Sequence, residues 1–395
     1  MTRKQLLWMI ILAFVVFTNI LESMILMPLS PTIKADLGMD EKQWGIAISS
    51  YLFSAFIAGV ASIFVIDRFD RKRFLITQYA LFIIGTFLCG VATSYEFLLF
   101  ARIMAGFFGG VIGAVVMAIV GDLIAPEHRG KATGIVMAGF SSAAGLGVPL
   151  GLWLGHSFSW HAPFFFLVTI SFIAWILLFI LLPKIDGHLK EAKNHKSYAI
   201  LKTVWKNGNQ IKGLLFTCSL MFGQFAIIPY LADFMVHNVG VKENQLVWMY
   251  FFGGILTFVT NPYIGFLADK YGQMRVFLVV MGLSLIPIAL ITNMSINPLP
   301  IVLIITTAFF VFAGGRNIPG TAVVLGTAAP HERGGFMSIR SAFQQFAGGL
   351  AVLLGSWLVT QQKDGSYLHF EYVGYLAIGT SILSYFLLKT IKQDY

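Results

Sequence analysis

Long apolar runs alternate along the chain with short polar connections. The runs cover residues 6–33, 42–65, 74–94, 97–123, 132–155, 161–183, 211–237, 245–268, 275–295, 299–325, 335–360 and 371–390. Each is about 20 residues or longer, the length a helix needs to cross roughly 30 Å of hydrocarbon. Period-two alternation is absent, which argues against a transmembrane barrel. The pattern therefore predicts an all-α polytopic membrane protein with twelve transmembrane helices. The opening stretch MTRKQLLWMIILAFVV has the basic start and apolar core of a signal peptide. No small-residue cleavage site follows, so it is expected to be a retained first helix.

The longest polar stretch, residues 183–210, falls between the sixth and seventh runs and divides the chain into a six-helix bundle over 1–183, an interdomain loop over 184–210 and a second six-helix bundle over 211–395. Internal repetition supports the division. APEHRG at 125–130 returns as APHERG at 329–334, and DRFDRKR at 67–73 returns as DKYGQMR at 269–275, both about 203 residues later. Two pseudo-symmetric halves related by an axis along the membrane normal are a known transporter plan. A basic cluster with an aspartate at a helix end can pair with a neighbouring helix, holding two bundles together in one state and releasing them in another.

Composition agrees: 57% of residues are hydrophobic and only 11% charged, too few for the surface of a soluble protein this long. The net charge of +9 could suggest nucleic acid, but its placement argues otherwise. With the N-terminus in the cytoplasm, 21 basic residues, Arg340 among them, fall in cytoplasmic segments, against Lys34, Lys42, Lys242 and Lys363 outside. That is the positive-inside signature, and it places both termini in the cytoplasm of what is expected to be a bacterial inner membrane protein. Two cysteines inside apolar runs give neither a disulfide framework nor metal spacing. No phosphate-binding glycine loop and no catalytic set is evident, so neither an enzyme nor a cofactor is expected. The expected partners are a small-molecule substrate, protons and lipid, with the chain working as a monomer.

The loop repeats carry a family resemblance that covers essentially the whole chain. Asp67, Arg68, Arg71, Lys72 and Arg73 resemble the loop motif between the second and third helices of major facilitator superfamily transporters, and Asp269, Lys270, Gly272 and Arg275 resemble its second-half echo. The first copy departs from the pattern at Ile63 and Asp70, where glycines are expected. The resemblance implies the major facilitator fold, a gating role for these loops, and a central cavity lined by the first, fourth, seventh and tenth helices.

Ionised and polar groups inside the apolar runs are the candidates for transport chemistry. Glu22 lies mid-way along the first run, where a carboxylate costs about 2.5–3.5 kcal/mol on insertion scales, and Asn19 stands one turn before it. Arg102 lies near the outer end of the fourth run, where it can reach the headgroups; followed by Gly106, it also resembles the family's fourth-helix motif, whose arginine is implicated in proton transfer. Arg316, beside Asn317, is too deep in the tenth run for a helix-end flank; it serves either the substrate or a fixed ion pair. Gln224 and Gln344 are further deep polar groups, with interhelical hydrogen bonding as their default role. Asp233, a few residues from the end of its run, is expected to be solvated. Gly147, Gly151 and Gly155 at four-residue spacing around Pro149 form a packing seam, and in the fifth helix they also resemble the antiporter motif, with Val148 replacing a glycine.

Together with APHERGGFMSIRSAFQQ, these features resemble the arabinose-efflux-permease-like group of the drug:proton antiporter branch. The implied function is proton-coupled export of a drug or metabolite by alternating access, with Glu22 and Arg102 coupling the proton and Asn19, Glu22, Gln224, Arg316, Asn317 and Gln344 facing the substrate. Uptake by symport or facilitated diffusion is the alternative within transporters. A transporter-like receptor or lipid-handling scaffold is the alternative outside them.

Overall fold

The computed structural model describes residues 1–187, 199–329, 333–362 and 364–392, excepting the side chains of residues 67, 199 and 200. The Asp67 side chain, one of the candidate gating groups, thus lies outside the described residues, as do Lys190, Lys193, Lys196 and Lys363 of the charge count. Among the described residues twelve long helical segments follow one another: α1 (Arg3–Leu37), α2 (Glu41–Val65), α3 (Arg71–Gly90), α4 (Tyr95–Leu123), α5 (Pro126–Ser157), α6 (Ala162–Leu181), α7 (Gly208–His237), α8 (Glu243–Tyr271), α9 (Gln273–Thr292), α10 (Leu299–Leu325), α11 (Arg333–Leu358) and α12 (Phe370–Thr390), with one short helix, Ala199–Lys206, between α6 and α7. All but α11 have the length and hydropathy of a membrane crossing. Arg340, Gln344 and Gln345 dilute the hydropathy of α11, yet its 26 residues reach about 39 Å and pack along α2 of the other half.

Local chemistry sets the ends. Thr2 and Asp40 close capping boxes at α1 and α2, Asp70 and Ser94 cap α3 and α4, and Gly38 takes a left-handed φ of 62° to stop α1. Four helices are interrupted beside prolines. α1 passes through a 3₁₀ turn at Met27–Leu29 containing Pro28, α7 breaks before Pro229, α10 breaks at Arg316 before Pro319, and α5 carries a π segment at Ala143–Gly147 before Pro149. Proline removes an intrahelical donor, and neighbouring helices must re-satisfy the backbone it frees.

Twelve crossings put both termini on one face, here the terminal face; the opposite one is the far face. At the far face the halves share one apolar core, in which Leu29, Ile33 and Trp44 meet Tyr230, Phe234 and Val352. The Trp44 indole also donates to the Pro229 carbonyl at 3.0 Å across the halves. Towards the terminal face each half has its own core, one around Val15, Ile112 and Leu178 and another around Phe216, Phe277 and Phe336, with Ile63 of α2 reaching into the second. Between α11 and α12 a short antiparallel hairpin, β1 (Thr360–Gln361) and β2 (Tyr367–Leu368), pairs Thr360 with Leu368.

Candidate functional site: a buried ion pair between α1 and α4

Glu22 and Arg102 meet. Arg102 donates from Nη1 to Glu22 Oε1 at 2.7 Å, with both side chains at most 1% exposed. The arginine therefore does not reach the headgroups. Its guanidinium lies 4.3 Å from the Tyr51 ring centroid, a cation–π contact from α2. One turn before Glu22, the Asn19 amide donates to the Gly109 carbonyl of α4 at 3.2 Å. These polar groups can come so close because α4 is bare where it crosses α2. A Cβ on Gly106 would lie 2.4 Å from the Tyr51 carbonyl, and one on Gly110 would lie 2.5 Å from the Ala55 Cα.

The small residues of α5 pack against the same helix that carries Glu22. Cβ atoms on Gly147, Gly151 and Gly155 would collide with Leu21, Ile25 and Leu29 in turn. Pro149 is buried within that seam. One turn earlier, the π segment meets the other half, where a Cβ on Gly254 of α8 would lie 2.6 Å from the Ala144 carbonyl. Helix α5 thus touches α1 and α8 at neighbouring turns.

The second half holds a separate set. Arg316 is fully buried; it donates to Ser381 Oγ at 2.7 Å, to Ser284 Oγ at 3.4 Å and to the Leu220 carbonyl at 3.4 Å, all within the second half. Among the described residues its partners are hydroxyls and a carbonyl of α7, α9 and α12, so it neither joins Glu22 nor forms the alternative fixed ion pair. The Asn317 amide bonds to Gln224 Oε1 at 3.1 Å, and both residues are half-buried. Gln344 bonds to Arg340 at 3.5 Å. Arg340, counted with the cytoplasmic basic residues, is instead buried inside its span on Thr217 and Thr321.

At the terminal face, Arg71 pairs with Asp122 of α4 at 3.0 Å, and Asp70 caps α3 while accepting from the Ile185 amide. Arg68 and Arg73 are exposed, as are Asp269, Lys270 and Arg275 in the second loop, where Gln273 donates to Asp269 at 2.9 Å.

The expectation that Asp233 is solvated fails. It is 1% exposed, because α1 and the β-hairpin close over the end of α7. Lys34, counted among outer-loop lysines, is buried beside it. The prolines of α1 and α7 were the available signal, since a helix broken there turns its last residues inward.

Broken helices, a buried ion pair and two six-helix halves define a secondary-transporter architecture. The family model described as Major Facilitator Superfamily matches residues 12–230 and again 213–394, and the chain belongs to that superfamily. Over 364 residues it is 24% identical to multidrug resistance protein 1 of Bacillus subtilis (strain 168), covering 91% of this chain and 90% of that protein. It is 25% identical over 243 residues to a "Probable sugar efflux transporter" of Mannheimia succiniciproducens, covering 62% of this chain and 60% of that one. The crystal structure of a D-xylose-proton symporter superposes with a TM-score of 0.77 over 98% of this chain and 97% of that chain, at 14% identity, a likeness of fold alone. Membership makes it a membrane transporter of the major facilitator type.

Proposed function

We propose that the protein is a proton-driven exporter of a small drug or metabolite, working by alternating access, with the Glu22–Arg102 pair as its coupling element. The observation that carries this reading is the isolation of the pair: one carboxylate and one guanidinium, both buried, joined between α1 and α4. Either the guanidinium or a proton can neutralise Glu22, so a movement that separates α1 from α4 exchanges one for the other. The seam of Gly147, Gly151 and Gly155 bears on α1 at this level and its π segment bears on α8, so rocking of the halves has a direct mechanical route to Glu22. Gln224, Asn317, Gln344 and Asn19 supply neutral hydrogen-bonding groups for the substrate, and Arg316 a charge held behind them. In this reading the terminal face is the cytoplasmic one, and the shared far-face core keeps the outer side closed. The loops around Arg71 and Arg275 gate that side, residues 184–210 link bundles 1–183 and 211–395, and one chain in lipid suffices.

The test begins with a thermal-shift screen in detergent at two pH values, which selects a substrate. Vesicles then carry wild type or Glu22→Gln with that substrate under an imposed pH gradient. Wild type drives the substrate against its gradient in exchange for protons, and the variant inserts, binds and exchanges but cannot couple. Undiminished uphill transport by Glu22→Gln sinks the coupling role. Substrate and protons moving the same way means symport, and binding without counterflow means a receptor or scaffold.

A further inference from the structure

A second cluster of buried ionisable groups sits at the far face and spans the two halves. Lys34 of α1 bonds to Glu41 at the start of α2 and, at 3.1 Å, to the Tyr367 hydroxyl of β2. Asp233 of α7 completes it, with Oδ1 3.4 Å from the lysine nitrogen. The charges do not balance: one ammonium faces two carboxylates, all three at most 5% exposed. Lysine directs its hydrogen bonds to Glu41 and Tyr367, and neither oxygen of Asp233 accepts a hydrogen bond among the described residues. Glu41 also gains from the helix N-terminus at which it stands, whereas Asp233 lies near the carbonyl end of its short helix, Ile228–His237. Between them the two carboxylates carry one charge more than the lysine offsets. Burying such a charge costs several kcal/mol, and binding one proton removes it.

The other titratable groups around Asp233 do not relieve it. His237, one turn on, turns Nδ1 to the Asp233 backbone carbonyl at 3.1 Å and stands 3.9 Å from Oδ1. Tyr230 spends its hydroxyl on the Val352 carbonyl. Tyr250 of α8 is a neutral phenol, buried, and its oxygen has no hydrogen-bond partner among the described residues. Burial first, then the negative charges of Asp233 and Glu41, push the Tyr367 phenol well above its ordinary range, so it stays a neutral hydroxyl. A polar cavity of about 170 Å³, lined by Lys34, Asp233, His237 and Gln361, adjoins the cluster and is large enough for water to deliver a proton.

From this geometry we infer that the far-face gate is itself a proton-binding site. The two carboxylates that share Lys34 take up one proton between them when the gate closes over them and release it when opening hydrates them. This site is separate from Glu22 and does not depend on the coupling role proposed for that residue. The closed form holds one proton more than the open form, so lowering the pH favours closure and raising it favours opening. The closed-to-open ratio changes by up to about tenfold per pH unit for one proton.

The experiment uses the full chain in lipid nanodiscs, with Cys89 and Cys218 replaced and spin labels on Ser159→Cys and Ser295→Cys. Both positions are exposed on far-face loops of opposite halves. Inter-label distances are measured from about pH 5.5 to about pH 8.5, without substrate, to follow the linkage. Wild type is expected to shift from closed to open with rising pH, and Asp233→Asn to stay closed throughout. Lys34→Gln, with two unbalanced carboxylates, is expected to respond more steeply, towards about a hundredfold per unit. His237→Gln is expected to keep the wild-type slope. A pH-independent wild type overturns the inference, as does a full slope in Asp233→Asn. So does loss of the slope in His237→Gln, which moves the proton to that residue, or closure at high pH by sodium in place of choline, which makes the ligand a metal ion.

Discussion

Replacing Glu22 by glutamine leaves the Arg102 guanidinium fully buried with no counter-charge. The pair is 2.7 Å long and excluded from water on both sides, so it lies in the regime where removing one partner costs about 3–5 kcal/mol. The Tyr51 ring beneath the guanidinium recovers part of this, about 0.5–2 kcal/mol for a cation–π contact. Glu22→Gln is thus expected to lose about 1–4.5 kcal/mol. Arg102→Met costs less, because a lone buried carboxyl can take a proton whereas a lone guanidinium cannot lose one. The double variant removes both charges and replaces the arginine stem with an apolar chain of similar length. It is expected to be more stable than the sum of the single losses by at least about 2 kcal/mol. Unfolding of the detergent-solubilised variants, followed by tryptophan fluorescence, completes the cycle. Additivity within about 0.5 kcal/mol would show that the two groups do not interact and would refute the reasoning. The same double variant separates structure from coupling, since it is expected to fold well and still fail to use a pH gradient.

Other positions test other links. Gly106→Ala drives a Cβ to 2.4 Å from the Tyr51 carbonyl and is expected to cost about 1–3 kcal/mol, whereas Gly113→Ala, with open space around it, should leave thermal stability unchanged or slightly raised. Arg316→Met should hold stability within about 1.5 kcal/mol, because Ser284 and Ser381 each donate to a backbone carbonyl and lose no partner of their own, while the desolvated charge disappears. If Arg316 holds the substrate, this variant folds but loses the thermal shift given by the screened substrate. Trp44→Phe deletes an inter-half hydrogen bond worth about 1 kcal/mol, so the closed far face should lose about fivefold in population by the same spin-label distances.

The helices were legible to within about six residues at their ends because each membrane-spanning helix satisfies its own backbone within one stretch of sequence. The candidate site was legible only in part. Glu22 and Arg102 stood out singly as costly charges, but they are 80 residues apart, and hydropathy cannot show which arginine lies beside which carboxylate. Arg316 looked equally available and instead faces the hydroxyls of α9 and α12. Asp233 failed as an expectation because closeness to a helix end predicts water only when nothing folds over that end.

From the sequence alone come the twelve crossings, their division into halves and the residues whose charge has no place in hydrocarbon. These follow from local burial cost and from repetition, both of which can be read along one dimension. Tertiary structure alone decided how those charges are paid for: Glu22 by Arg102, Arg316 by neutral hydroxyls, and Asp233 by too little. Electrostatic compensation acts over a few ångströms in space, between groups that lie tens to hundreds of residues apart in the chain.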